Sequence, residues 1–401
     1  MKINEIAFIV CYNDEFLMGE CKKYIERLYL PESYSIDIIT VAEAPSMCAG
    51  YNAAMKSSDA WIKVYLHQDT FIVNRYFIFN IVEIFNSDKN IGIIGITGTD
   101  ALPDSAIWWR GEVKGKFPFT KEEYIDERIG ENYNLSEAVA VDGFLIATSK
   151  NVEWREDIFD GFDFYDISQC LEYRRRGYRV VVAEQRLPWC IHADGFFLDL
   201  DNYAYARKIF FEEYKKEEYY LNDSHVLMND SMEIEALLRD YKLKKEKFDR
   251  YQTIFLGEIS DALKNNEYEK IMSLYVESAS NITENEGMLM AIPADYLRFM
   301  VIMDAYQKES MAGIRLFLAN TESFSELMGK FRKVEIYLRR LEYDFDNDAY
   351  NETFDFIHNE NISQYAISEI MNSAVAQLGN LDRIKKIIKE RTGYDCNIIC
   401  E

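Results

Sequence analysis

Positive charge is what this sequence has least of. Its 45 Lys and Arg stand against 69 Asp and Glu, a formal net charge of −24 over 401 residues. No cation surplus is available to displace counterions from phosphates, which argues against nucleic acid as a partner. Broad adhesion to anionic membranes is disfavoured for the same reason. The acidity reads as a soluble, self-repelling surface. Long hydrophobic runs are also missing. Stretches such as IGIIGITG (91–98) fall far short of the ~18 apolar residues a transmembrane helix needs. No secretory leader is expected, because Met-Lys-Ile-Asn leads straight into EIAFIVCYND, which has the character of a first strand. The seven cysteines (11, 21, 48, 170, 190, 396, 400) are an odd set without a CxxC pair. They indicate neither a disulfide framework nor a zinc site, and a cytoplasmic location fits them best.

What is present is ample apolar material, 48% hydrophobic and 14% aromatic residues, enough for a real core. At about 150 residues per domain the length predicts two or three domains. The first half alternates β-rich and helical runs: IAFIVCY (6–12), a helix over 14–30, SIDIITV (35–41), a helix over 46–58, AWIKVYL (60–66), a helix over 76–86 and IGIIGIT (91–97). Apolar strands interleaved with helices predict a Rossmann-like, mainly parallel sheet of the α/β class. Past residue 205 the period changes. Phe248, Tyr251, Phe255, Ile259 and Leu263 are spaced by three and four, and similar stretches cover 296–318, 324–343 and 362–390. This predicts an all-helical second domain of antiparallel helices. AQLGNLDRIKKIIKE (376–390) is similar to a tetratricopeptide-like turn, yet no period of about 34 residues recurs. The division expected is residues 1–225 and 226–401.

The chemistry is expected where the third strand ends. In WIKVYLHQDTFIV (61–73) an apolar run is broken by His67, Gln68 and Asp69. Ligands bind such sheets beyond the carboxyl ends of the strands. Asp69 is either a turn residue or N-cap, or a carboxylate ligand for Mg2+ or Mn2+ carrying a nucleotide diphosphate. In the segment 141–182, Asp142-Gly143 opens an apolar strand. A helix follows with Asp166 near its start and Gly177 as its C-terminal cap. Asp166 is either an N-cap or a carboxylate placed to take a proton from an attacking hydroxyl. A third segment, LPWCIHADG (187–195), carries His192, and a lone His is more often a structural residue than a ligand.

In order and content these segments resemble the family-two glycosyltransferases with the GT-A fold, over about residues 5–200. CYND (11–14) is similar to the nucleotide-contacting end of that family's first strand. GYNAAMKSSDAWIKVYLHQDT resembles the asparagine-bearing helix and the strand ending in Asp-x-Asp. FYDISQCLEYRRRGYRV (164–180) resembles the segment that carries the catalytic base. The resemblance implies that Asp69 holds the metal, that His192 completes its shell or touches the diphosphate, and that Asp166 is the base. It further implies that Cys11, Tyr12, Asn13, Glu43, Asn52, His67 and Gln68 approach the nucleotide, while Asp142 and Gly143 line the sugar pocket. Trp108, Trp109, Asp163 and Tyr165 are assigned to the acceptor or sugar pocket, and Trp154 is a further candidate for stacking on a sugar face, with core packing the alternative for each tryptophan.

Two departures stand out. His67 occupies the place of the first aspartate, removing one anionic ligand, and a His-Gln-Asp version resembles a bacterial subgroup of the family. The acid before Asp166 is displaced to Asp163. The implied reaction is inverting transfer from a nucleotide-sugar, with UDP the expected nucleotide, to a hydroxyl of a glycan, a lipid-linked or a protein acceptor. A free aspartate titrates near 4, so Asp166 is expected to be anionic at neutral pH. A nucleotidyltransferase is the enzymatic alternative, but CYNDEFLMGE offers no Gly-rich basic loop. A sugar-nucleotide-binding scaffold is the non-enzymatic one. The helical half is expected to form a homodimer, bind an acceptor protein or buttress the first domain.

Overall fold

The computed structural model describes residues 2–103, 105–116, 126–130, 133–193, 202–214, 256–283, 294–307, 311–319, 321–373 and 378–396, with 235–236, 238–239, 242–243 and 376. Backbone contacts divide the chain into two compact units, the first holding the described residues up to 238 and the second those from 239 onward. The expected boundary at 225–226 lies outside the described residues, as do Phe248, Tyr251 and Phe255.

In the first unit, β1 (Lys2–Tyr12), β2 (Ser35–Ala42) and β3 (Ala60–His67) alternate with α1 (Glu15–Glu26) and α2 (Met47–Ser57). A short β4 (Thr70–Ile72), α3 (Phe77–Ser87) and β5 (Ile91–Gly95) follow. β6 (Thr97–Thr99), β7 (Val113–Gly115), β8 (Leu135–Glu137), β9 (Ala140–Val141) and β10 (Leu145–Thr148) come next. The unit closes with α4 (Tyr165–Arg175), β11 (Arg179–Ala183), β12 (Cys190–His192) and α5 (Tyr203–Tyr214). Seven strands form one sheet in the order β2-β1-β3-β10-β5-β11-β8, while β12 pairs with β4 and β6 with β7 and β9. The pairs β1/β2, β1/β3 and β5/β11 are parallel. The sheet is therefore Rossmann-like and mainly parallel, with two antiparallel strands: β8 at the edge, against β11, and, decisively for the site, one in the interior. β10 lies antiparallel to both of its neighbours, β3 and β5. Ile6, Phe8, Ile62, Val64, Ile93 and Ile146 are fully buried, the near-continuous apolar pattern of strands covered on both faces.

The second unit is helical. Residues 256–264 are helical, followed by Tyr268–Thr283, Ala294–Gln307, Met311–Leu318, Phe324–Arg340, Asn347–Asn359, Gln364–Asn372 and Leu381–Thr392. Leu327, Phe331, Val334, Leu338 and Leu341 recur by four and three along one face and are buried. They join Phe299, Ile302, Ile367, Ile370 and Ile384 in one core. Two sequence expectations change here. The stretch 362–390 holds two helices, Gln364–Asn372 and Leu381–Thr392, and the helix Asn347–Asn359 was not expected from the sequence.

The close packing of α2 onto β1 can be tested. Ser46 caps α2 through its side chain, and four residues on, a methyl at Gly50 would lie 2.5 Å from Cys11 Sγ and 2.8 Å from Ala44 Cβ. Helix propensity alone favours alanine by about 1 kcal/mol, whereas overpacking costs about 1–3 kcal/mol. Gly50→Ala should therefore lower the urea midpoint. A midpoint at or above that of the wild type would show that α2 can retreat from β1.

Candidate functional site

Register brings the first three strand ends together. Cys11 pairs with Val41 on one side and His67 on the other, and Tyr12 pairs with Ala42. Asn13, Glu43 and Gln68 thus leave the sheet side by side. Gln68 ties them: its Oε1 accepts from the Asn13 and Asp14 amides at 3.0 and 2.9 Å, and its Nε2 donates to Asn13 Oδ1 at 2.7 Å. Asp14 then caps α1 by accepting from the Phe16 and Leu17 amides. A cavity of about 470 Å3 opens over these ends. Cys11, Tyr12, Asn13, Glu43, His67, Gln68 and Asp69, all singled out from sequence, line it. Ala44, Met47 and the exposed Phe162 complete the wall and were missed. The acidic, aromatic stretch 156–166, with Phe162 next to its one glycine, was the available signal.

Beside the cavity stand His67, Asp69 and His192. β12 pairs with β4 so that His192 opposes Thr70, and the Ala193 amide donates to the Asp69 carbonyl at 2.8 Å. His192 Nε2 lies 3.2 Å from Asp69 Oδ1 and 3.3 Å from His67 Nδ1. One ligand atom from each residue falls within 4.8 Å of the others, so the three can hold a single metal ion. The Phe144 ring stacks on His192 with centroids 5.6 Å apart. Burial, followed by the neighbouring His192, brings the His67 imidazole down to about 4, leaving it neutral as a metal ligand must be. Burial works against ionisation of Asp69, but His192 and its hydrogen bond prevail and hold that carboxyl at about 2.

The reversed strand supplies the next wall. Because β10 runs against β3, its beginning lies beside the end of β3, and the His67 amide donates to the Phe144 carbonyl at 3.1 Å. Gly143 precedes that contact, and its amide donates to Asp166 Oδ2 at 2.9 Å. Asp166 Oδ1 accepts from the Ile167 amide at 2.8 Å. The N-cap of α4 is Phe164, so Asp166 is not the cap that a structural role would require. Burial, and then the charge of Asp142, raise the Asp166 carboxyl to about 7. The expectation of a simple anion at neutral pH is thereby corrected. Burial raises the Asp142 carboxyl as well.

Phe164 has a left-handed backbone, φ 60°, a costly conformation for a bulky residue. It is held beneath α5, where Tyr203 and Phe210 pack on its ring. α5 is itself fastened to α4: Tyr214 OH shares a hydrogen bond with Ser168 Oγ at 2.7 Å, and Arg155 and Arg175 each bridge Glu172 and Glu213.

Other predicted residues lie apart from the cavity. Asn52 is buried and clamps the backbone of Trp154, donating to its carbonyl and accepting from its amide at 2.9 Å each. Both contacts are structural. Trp154 is core, packed on Tyr51 and Tyr65, and Trp108 is also buried; neither offers a face to a sugar. Trp109 is half-buried against Trp108. Asp163 is half-buried in the turn before α4. Tyr165, assigned from sequence to the sugar pocket, is buried and sets its hydroxyl 2.5 Å from His67 Nε2.

The raised Asp166 carboxyl has a consequence for stability. The folded protein keeps this proton to about pH 7, whereas the unfolded chain loses it near 4. Its contribution to stability is therefore complete below about pH 4 and declines as pH rises to about 7. Asp166→Asn removes that titration, so its melting temperature relative to the wild type should improve steadily across this window. A difference that stays flat would show that Asp166 ionises as readily as in the unfolded chain.

Residues 7–214 match the model of a glycosyltransferase-like family. No curated protein matches the sequence. Among solved structures, the mannosyltransferase PcManGT from Pyrobaculum calidifontis, in complex with GDP-Man and Mn2+, is 12% identical with a TM-score of 0.36, covering 55% of this chain and 66% of its own. TarS 1-349 of S. aureus in complex with UDP-GlcNAc is also 12% identical, with a TM-score of 0.35, covering 86% of this chain and 94% of its own. The family match takes in just over half of the chain, including all three residues of the His67–Asp69–His192 group and Asp166. The chain belongs to this glycosyltransferase-like family.

Proposed function

We propose that the protein is an inverting glycosyltransferase that moves a hexosyl or N-acetylhexosaminyl group from a UDP-linked donor to an acceptor hydroxyl. The observation that carries this reading is an adjacency. The cavity over β1, β2 and β3 runs into the His67–Asp69 pair, and the helix turn that touches His67 through Tyr165 also bears Asp166. In this reading Asn13 and Glu43 face the nucleoside, and the diphosphate lies toward Asp69 and His192. Two imidazoles and one carboxylate suit Mn2+ better than Mg2+, which favours all-oxygen shells. A bound cation would neutralise charge on the departing diphosphate.

The acceptor oxygen attacks the anomeric carbon from the face opposite the diphosphate. The bond from carbon to diphosphate oxygen breaks, the configuration inverts, and Asp166 receives the hydroxyl proton. A base with a pKa near the working pH is well matched to that transfer. Asp142 and Gly143 stand on the sugar side. We take residues 1–225 as the transferring domain and the remainder as a separate helical one. Among the described residues no helix is long and apolar enough to cross a membrane. Among the described residues six cysteines are buried and unpaired, which favours a reducing, cytoplasmic setting.

Donor binding can be measured directly. UDP should raise the melting temperature more in Mn2+ than in EDTA, by mass action on the folded state, and Asp69→Ala should remove that difference. A chain ending at residue 225 should show the same shift. If the shift ignores Mn2+ and survives in the variant, the metal assignment falls. Loss of UDP binding in a soluble 1–225 chain would overturn the domain division.

The base assignment is tested by rate. Asp166→Asn should still bind UDP but transfer about 10²–10⁴-fold more slowly, the range of general-base contributions. In the wild type, kcat/KM should rise with pH through about 7 as Asp166 ionises. Asp142→Asn should move that limb to lower pH by removing a neighbouring charge. Near-normal turnover by Asp166→Asn would transfer the role to Asp163.

A further inference from the structure

Three ligand atoms can meet one cation only if each points a lone pair at it. For a carboxylate this is automatic. A neutral imidazole carries one N–H and one lone pair, and which nitrogen keeps the proton is set by the partner of the other. His67 shows both partners: Nδ1 lies 3.3 Å from His192 Nε2, and Nε2 lies 2.5 Å from the Tyr165 hydroxyl. With the proton on Nδ1, an N–H would occupy the space between the two histidines. With the proton on Nε2, it is donated to the Tyr165 oxygen, and the Nδ1 lone pair faces His192 and Asp69.

We propose that Tyr165 is a positioning residue that holds His67 in the Nε2–H tautomer and so completes the cation site. This rests on the reading of His67, Asp69 and His192 as that site. The surroundings fix the hydroxyl where the role needs it. Tyr165 is buried at the first position of α4, with its ring packed among Tyr51 and Trp154 at centroid distances of 6.0 Å. Position 143 is a glycine in contact with it: a methyl there would lie 2.1 Å from the Tyr165 oxygen. The same turn carries Asp166, so Tyr165 also couples the setting of the cation site to that of the base.

The test is a double-mutant cycle read by Mn2+ binding, with unbound Mn2+ followed by electron paramagnetic resonance. Tyr165→Phe keeps the ring and removes only the hydroxyl. It should weaken Mn2+ binding about 10–100-fold, the usual effect of losing a partner behind a metal ligand. In a His67→Asp background there is no tautomer to set, and the same change should alter affinity by no more than about twofold, as for independent sites. Equal losses in both backgrounds would reduce Tyr165 to structural support, and an unchanged affinity in the single variant would overturn the proposal outright. Failure of the wild type to bind Mn2+ would instead remove the cation reading, and this inference with it. Independently of any variant folding, two-bond nitrogen–proton spectra of the wild type loaded with Zn2+ should show His67 protonated at Nε2. A proton on Nδ1 would also overturn the proposal.

Discussion

The site depends on one reversal of chain direction. In an all-parallel sheet, every strand beside β3 would end where β3 ends, and the chain would leave on that side with little to close the cleft. β10 instead enters there. The residues just before it, Asp142 to Phe144, lie at the level of His67 because the antiparallel pairing of Leu145 with Leu66 demands it. One backbone hydrogen bond, from the His67 amide to the Phe144 carbonyl, links the end of β3 to the turn before β10 that carries Asp142 and Gly143. Asp166 then docks onto the Gly143 amide, and α4 takes its place over the sheet. Had β10 slipped by one residue, its side chains would exchange faces, and Gly143 would no longer make room for Tyr165.

Much of this was legible because the first unit obeys simple rules. Apolar runs of strand length mark β1, β2 and β3, and the polar break at His67-Gln68-Asp69 marks their common exit. Asp69 and His192 are far apart in sequence, so only family resemblance united them before the fold did. What stayed hidden was long-range. The direction of β10 cannot be read from LIAT, since four buried residues look alike in either orientation. Asn52 was placed near the nucleotide by resemblance alone, and its partner, the backbone of Trp154 about a hundred residues on, is visible only in the fold. Trp108 and Trp154 were ambiguous for the complementary reason: an indole serves a core as well as it serves a sugar. The helix Asn347–Asn359 was obscured by its acidic and amide-rich composition, which resembles a loop unless its buried Ala349, Thr353 and Ile357 are seen to share one face.

Two aspartates within this small region are driven in opposite directions by their neighbours. Asp69 has histidines beside it and stays ionised well into acid. Asp166 has another carboxyl beside it and two backbone amides that only partly offset burial. The same functional group is therefore a settled anion at one point and titrates near neutrality at another, the separation that different environments allow.

Phe164 shows what this arrangement demands of sequence change. Its left-handed backbone would be easier for glycine, with a conformational gain on the order of 1 kcal/mol, yet its ring is buried under Tyr203 and Phe210. Neither the smaller residue nor a different backbone can be adopted without disturbing the turn that delivers Tyr165 and Asp166. Random drift is thus confined at this position from two sides, and laboratory selection for thermostability alone would press against it. Variants that relax Phe164 are where robustness and turnover should part company.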